Sequence, residues 1–167
     1  MDQAYWLVKI IGKIEEYVAS ILLLISCLVI WLQFFCRSFL NSALPWPEEL
    51  SIIFLIYFVF IGAGALYIKQ GHITVDWFVQ KYIPNKQELV FRFIMLLNMI
   101  TFLLLFYSGL QGLKYAMQYT SGASILIPRG YLRFPLLIMS ASCTFTSIVY
   151  SFIPFEKIKI EQPKVEL

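Results

Sequence analysis

Residues 17–36 read YVASILLLISCLVIWLQFFC, twenty positions without an aspartate, glutamate, lysine, arginine or histidine. An α-helix rises about 1.5 Å per residue, so a run of this length covers the ~30 Å hydrocarbon thickness of a bilayer. Three further uncharged runs follow at 50–68, 93–113 and 134–155. Inside lipid only helices and closed barrels satisfy their own backbone, and these runs lack the apolar/polar alternation of barrel strands. The fold class is therefore all-α, an integral membrane bundle of four transmembrane helices. Composition agrees: 60% of the 167 residues are apolar and 14% charged, against about 45–50% and about 25% in soluble domains. The spans and their short connections fill nearly the whole chain, so residues 1–167 are read as a single membrane domain.

Lysine and arginine placement sets the expected orientation, because basic loops are retained in the cytoplasm. Nine basic residues lie in the N-terminal segment, the second loop and the tail, on one side with respect to the odd and even spans. These are Lys9, Lys13, Lys69, Lys81, Lys86, Arg92, Lys157, Lys159 and Lys164. Four lie on the other side: Arg37, Lys114, Arg129 and Arg133. Both termini are thus placed in the cytoplasm. The first apolar run is too long for a cleaved signal, and Glu15 and Glu16 stand where its flank should be basic. Leu24-Ile25-Ser26-Cys27 resembles a lipoprotein cleavage box, but cleavage there would remove half of the first span, and a chance match is easy in such a helix. Cys27, Cys36 and Cys143 all fall inside spans without Cys-x-x-Cys spacing, and are read as small packing residues.

The connections are uneven. Before the first span, Tyr5, Trp6, Val8, Ile10 and Ile11 alternate with Lys9 and Lys13, which suits either a helix lying at the inner interface or an extension of the span itself. Leu44-Pro45-Trp46-Pro47-Glu48-Glu49 is a compact turn, with Trp46 for the headgroup belt and two carboxylates at the positive start of the second helix. In the second loop Val75, Phe78, Val79 and Tyr82 fall on one helical stripe, with Thr74 as N-cap and Pro84 as terminator. This predicts a short interfacial amphipathic helix over 74–83. The third loop carries Tyr115, Tyr119 and Tyr131 and is broken by Pro128, Gly130 and Pro135. Gly62 to Ala65, Gly109, Gly112 and Ser140 to Ser142 mark faces where helices approach closely.

What is missing matters equally. Ionisable groups at membrane depth are functional by default, and none lies within the four uncharged runs. Gln33, Asn98, Thr101 and Gln111 are read as interhelical hydrogen-bond partners. His72 is the sole histidine, so the chain by itself cannot supply a bis-histidine haem site or a metal cluster, and no phosphate-binding glycine loop is present. No cofactor, no metal, no catalytic residue and no nucleic-acid partner is expected.

The residues at the span ends form a set. Phe34-Phe35-Cys36-Arg37 closes the first span, Trp46-Pro47-Glu48-Glu49-Leu50 opens the second, and Gly62-Ala63 lies within it. Gly71-His72-Ile73-Thr74-Val75-Asp76 follows, then Leu126-Ile127-Pro128 and Phe134-Pro135-Leu136. Over nearly the whole chain this order resembles the small membrane subunit, DctQ-like, of tripartite ATP-independent periplasmic (TRAP) transporters. Ser38 departs from it, standing where an aromatic residue is common. The resemblance implies a bacterial inner-membrane subunit whose partners are lipid, a large polytopic TRAP subunit and a periplasmic solute-binding protein. It also implies that the large subunit carries the substrate and sodium sites and moves as an elevator, importing an organic anion such as a dicarboxylate, a sugar acid or sialic acid.

Structural or partner-contact candidates are Arg37, Trp46, Glu48, Glu49, Gly62, Gly71, His72, Asp76 and Pro128. Arg37 is expected to pair with Glu48 or Glu49 and lock the first hairpin. His72 and Asp76, four apart, are expected to hydrogen-bond each other or to fix the loop to the large subunit. The rival reading is a self-contained, homo-oligomeric small transporter, which a mid-span carboxylate would favour. A membrane-embedded enzyme ranks behind both.

Overall fold

A computed structural model describes residues 2–39, 44–69, 87–121 and 125–152. Helices α1 (Asp2–Phe39), α2 (Trp46–Ile68), α3 (Gln87–Ala116) and α4 (Phe134–Phe152) run through them. All four are long and apolar enough to cross a membrane. The interfacial helix expected over 74–83 lies outside the described residues. For reference, the upper end of the bundle carries the α1–α2 turn, and the lower end carries the start of α1.

Helix α1 is continuous for 38 residues, about 57 Å. Of the two readings left open for residues 5–13, extension of the span is the one observed. The lower third of α1 earns its place by packing: Val8 is fully buried with Ile68, Met95, Val149 and Tyr150, and Ala4, Tyr5, Ile11 and Phe91 close around them. This cluster joins all four helices at the lower end. The Tyr150 hydroxyl donates to the carbonyl of Ile68 at 2.9 Å, which satisfies an otherwise open acceptor at the C-terminus of α2.

Between apolar helices in lipid, association depends on close backbone approach. On α1 the line Gly12, Ala19, Ser26, Gln33 repeats every seven residues and faces α2 in antiparallel order. A Cβ on Gly12 would lie 2.7 Å from Ile68 Cγ2. Ala19 meets Gly62, Ser26 Oγ donates to the Ser51 carbonyl at 3.2 Å, and Gln33 Nε2 donates to Glu48 Oε2 at 3.4 Å.

Helix α4 is the most enclosed. Pro135, Leu137, Met139, Ser140, Cys143, Thr144, Thr146, Ser147, Val149 and Tyr150 are all buried along it. Five of its hydroxyls donate to carbonyls one turn back in the same helix: Ser140 to Leu137, Ser142 to Met139, Thr144 to Ser140, Thr146 to Ser142 and Ser147 to Cys143. Such bonds remove the cost of polar groups in an apolar surrounding. Gly109 of α3 lies under Leu137, bringing these two helices together. The other faces of α1 and α3, with Tyr17, Leu24, Trp31, Phe93, Ile100 and Leu104, are exposed on the isolated chain.

Between α3 and α4 the chain forms a small cap. Strands β1 (Thr120–Ser121) and β2 (Ile127–Pro128) pair antiparallel, Thr120 opposite Pro128. A 3-10 helix, Arg129–Arg133, then leads into α4. Gly130 packs under the Met117 side chain, where a Cβ would sit 2.6 Å from Sδ and oblige that flexible side chain to move.

Candidate functional site

Two regions hold the polar side chains of the bundle. At the upper end, α2 begins with Pro47 buried in its first turn and Glu48 and Glu49 beside it, where acidic groups complement the helix dipole. Trp46 is exposed at the level expected of a headgroup anchor. Glu49 Oε2 accepts from the Ile125 amide at 2.8 Å, and two turns further along α2 the Tyr57 hydroxyl donates to the Tyr131 carbonyl at 2.8 Å. Both bonds tie the α3–α4 cap to one face of α2. Pro128 is half-buried and starts the 3-10 helix, and the Arg129 amide donates to the Tyr119 carbonyl at 2.8 Å.

The expected lock between Arg37 and the two carboxylates is not formed. Arg37 is exposed with no ion pair among the described residues, while Glu48 faces Gln33 and Glu49 faces the cap. The reason is register. Gln33 lies one turn before Arg37 on the same face of α1, and it is Gln33 that comes level with Glu48. Truncating Glu49 to alanine should therefore lower the unfolding free energy by about 1.5–3 kcal/mol, the value of a hydrogen bond to a charged group. Reversing Arg37 to glutamate should change stability by less than about 0.5 kcal/mol. Denaturant titration of the chain in detergent measures both, and equal effects would contradict this assignment.

At the lower end Glu16 Oε1 pairs with Lys69 Nζ at 2.6 Å, and Glu88 Oε1 pairs with Arg92 Nη2 at 2.8 Å. Arg92 Nη1 also donates to the Ser151 carbonyl at 3.4 Å. Deeper in the bundle, the Tyr67 hydroxyl and Ser147 Oγ are 2.7 Å apart, and the same hydroxyl donates to Met95 Sδ at 3.8 Å.

The expectation that no ionisable side chain enters the bundle needs correcting at Glu15. It is 6% exposed, and its Oε2 has no hydrogen-bond partner among the described residues. A Cβ on Gly64 would lie 2.8 Å from that oxygen and 3.4 Å from Ser142 Oγ. The uncharged run begins at residue 17, but the helix and its packing begin well before it. Glu15 falls on the inward line of Val8, Gly12 and Ala19, which was the signal available in the sequence. A second correction concerns Thr101 and Gln111. They bond within their own helix, to the Leu97 carbonyl and the Tyr107 hydroxyl, whereas Gln33 does bond between helices.

Gly62 is half-buried against Ala19 and Phe58 at ordinary contact distances. Gly71, His72 and Asp76 lie outside the described residues. Cys27 is exposed and Cys36 and Cys143 are buried, all as free thiols. Among the described residues no group of three or more histidine, cysteine, aspartate or glutamate side chains is placed to hold a metal ion.

Comparison with known proteins bears on this arrangement. A family model described as the DctQ component of tripartite ATP-independent periplasmic transporters matches residues 26–154. The chain is 27% identical over 104 residues to the sialic acid TRAP transporter permease protein SiaT of Haemophilus influenzae (strain 86-028NP), covering 62% of this chain and 17% of that protein. It is 30% identical over 81 residues to the sialic acid TRAP transporter small permease protein SiaQ of Vibrio cholerae serotype O1 (strain ATCC 39315 / El Tor Inaba N16961), covering 48% and 46% respectively. The chain thus spans less than half the length of either relative.

Proposed function

Because this chain belongs to the DctQ component family of tripartite ATP-independent periplasmic transporters, we propose that its four helices brace a larger polytopic subunit that carries the solute and the coupling ion. Membership makes it a TRAP small subunit, a multi-pass protein of the inner membrane and a transport component, not an enzyme.

The observation that carries the scaffold reading is how the polar groups of the spans are used. The α4 hydroxyls, Gln33, Thr101 and Gln111 are engaged in bonds that hold helices in shape or together. An ion or a carboxylated solute needs several converging ligands, and the one enclosed carboxylate among the described residues, Glu15, has a glycine and a serine for neighbours. Both relatives are named for sialic acid, which supports a carboxylated sugar as the solute. Sodium coupling and delivery by a periplasmic binding protein follow the family resemblance. The basic asymmetry supports cytoplasmic termini, which places the upper cap in the periplasm. Trp46, Glu48, Glu49, Gly62 and Pro128 then serve to shape the first hairpin and the cap, and Arg37, Gly71, His72 and Asp76 are available for contact with the larger subunit.

Two measurements test this. Single cysteines introduced beside Lys86 and Lys164 should react with thiol reagents from the cytoplasm, and those beside Ala43 and Ser121 from the periplasm. A periplasmic C-terminus would refute the topology. In vesicles reconstituted with the large subunit and the binding protein, conservative changes at Gln33, Asn98 or Gln111 should leave the sodium dependence and the preferred solute unchanged. An altered coupling ratio would refute the scaffold reading, and uptake by the chain alone would favour a self-contained carrier.

A further inference from the structure

The upper cap contains a cavity of about 410 Å³ between the end of α3 and the 3-10 helix, lined by Tyr115, Ala116, Tyr119, Arg129, Leu132 and Arg133. We propose that this cavity binds an oxyanion, phosphate or carboxylate, carried on an organic body at the membrane surface.

Two arginines, Arg129 and Arg133, line it, and neither has an ion pair among the described residues. The carboxylates at this end, Glu48 and Glu49, are directed to Gln33 and to the Ile125 amide. The positive charge of the cavity is thus left for a ligand. Arginine presents a planar fork that matches carboxylate and phosphate oxygens, so two of them on one wall suit an anion.

The wall is also held in place. The Arg133 guanidinium lies over Gly112, where any Cβ would collide with Nη1. Arg129 is anchored by its amide on the Tyr119 carbonyl and by the Thr120–Pro128 pair beside it. Glu49 and Tyr57 fix the same segment to α2. A backbone positioned before the ligand arrives loses less freedom on binding.

Size and lining narrow the ligand class. Small-molecule sites run from about 300 to about 1,000 Å³, so this space exceeds a bare inorganic ion. Ala116 and Leu132 provide an apolar floor, and two phenols provide rims able to stack or to donate. A phospholipid headgroup with its glycerol meets this description, and so does a soluble acidic sugar. The competing explanation is that Arg133 merely offsets the negative C-terminal end of the α3 dipole. That role would give stability without ligand dependence.

The test is thermal unfolding of the purified full chain in dodecyl maltoside, titrated with dihexanoyl phosphatidylglycerol, dihexanoylglycerol, glycerol 1-phosphate or N-acetylneuraminate. A saturable rise in Tm with the phosphatidylglycerol but with none of the others assigns the site to a lipid headgroup. A rise with glycerol 1-phosphate or N-acetylneuraminate assigns it to a soluble oxyanion. In either case the half-saturating concentration should increase about tenfold in Arg129→Gln, an exposed position whose change leaves the fold intact. Arg133→Lys should weaken it by a smaller factor, which covers the case in which Arg133→Gln fails to fold. No saturable rise with any anionic ligand, a rise equal to that from dihexanoylglycerol, or a rise unchanged in Arg129→Gln would overturn the proposal.

Discussion

Vesicles that contain the large subunit and receive loaded binding protein, but lack this chain, are expected to show uptake no higher than protein-free vesicles. An elevator moves its solute site relative to something that stays still, and a four-helix unit whose polar groups are internally bonded is suited to be that fixed part. The exposed apolar faces of α1 and α3 offer area for such a contact, including Tyr17, Leu24 and Trp31 on one and Phe93, Ile100 and Leu104 on the other. On the proposed reading, the large subunit without it loses the surface against which it is oriented. Uptake of radiolabelled solute, with protease accessibility confirming that the large subunit is inserted, measures the effect. Sodium-driven accumulation without this chain would show that the large subunit suffices.

Replacing Gly64 with leucine should lower the unfolding free energy of the chain by about 3 kcal/mol, at the upper part of the range for overpacking a filled interior. At this position α1, α2 and α4 meet, and even a single Cβ would press on Glu15 Oε2 and Ser142 Oγ. A leucine must also displace the carboxylate from its only enclosure. Gly62→Ala, two residues away, should stay within about 0.5 kcal/mol, because its Cβ would meet Ala19 and Phe58 at 3.7 and 3.8 Å. Denaturation of both variants in mixed micelles decides the matter. Equal losses would mean that the three-helix crossing is not where the structure places it.

The contrast between these two glycines shows how far sequence reading extends. Four charge-free runs are visible at once, because the bilayer demands them, and the family resemblance rests on motifs at their ends. A cluster such as Gly62 to Ala65 says that some helix comes close, but not which residue it touches; that depends on register between segments distant in sequence. The same dependence misplaces Arg37, which flanks the same turn as Glu48 and Glu49 but stands about a helical turn beyond the residue of α1 that comes level with them. Glu15 escapes notice for another reason. A hydropathy window ends where charge begins, whereas helical packing continues along the seven-residue line of Gly12, Ala19 and Ser26. The bonds from Glu49 and Tyr57 to the α3–α4 cap join residues more than seventy positions apart, and no local pattern announces them.

The hydroxyls of α4 bear on how the chain is made. This segment has the lowest mean hydropathy of the four, 1.5 against 2.3 to 2.5 for the others, and would be the costliest to release from the translocon into lipid. Its serines and threonines carry their acceptors with them, one turn back along the same helix, so their bonds exist before any neighbouring helix arrives. Partitioning into the bilayer is thereby uncoupled from assembly. The newly inserted segment can wait in the bilayer until the helices that pack against it arrive.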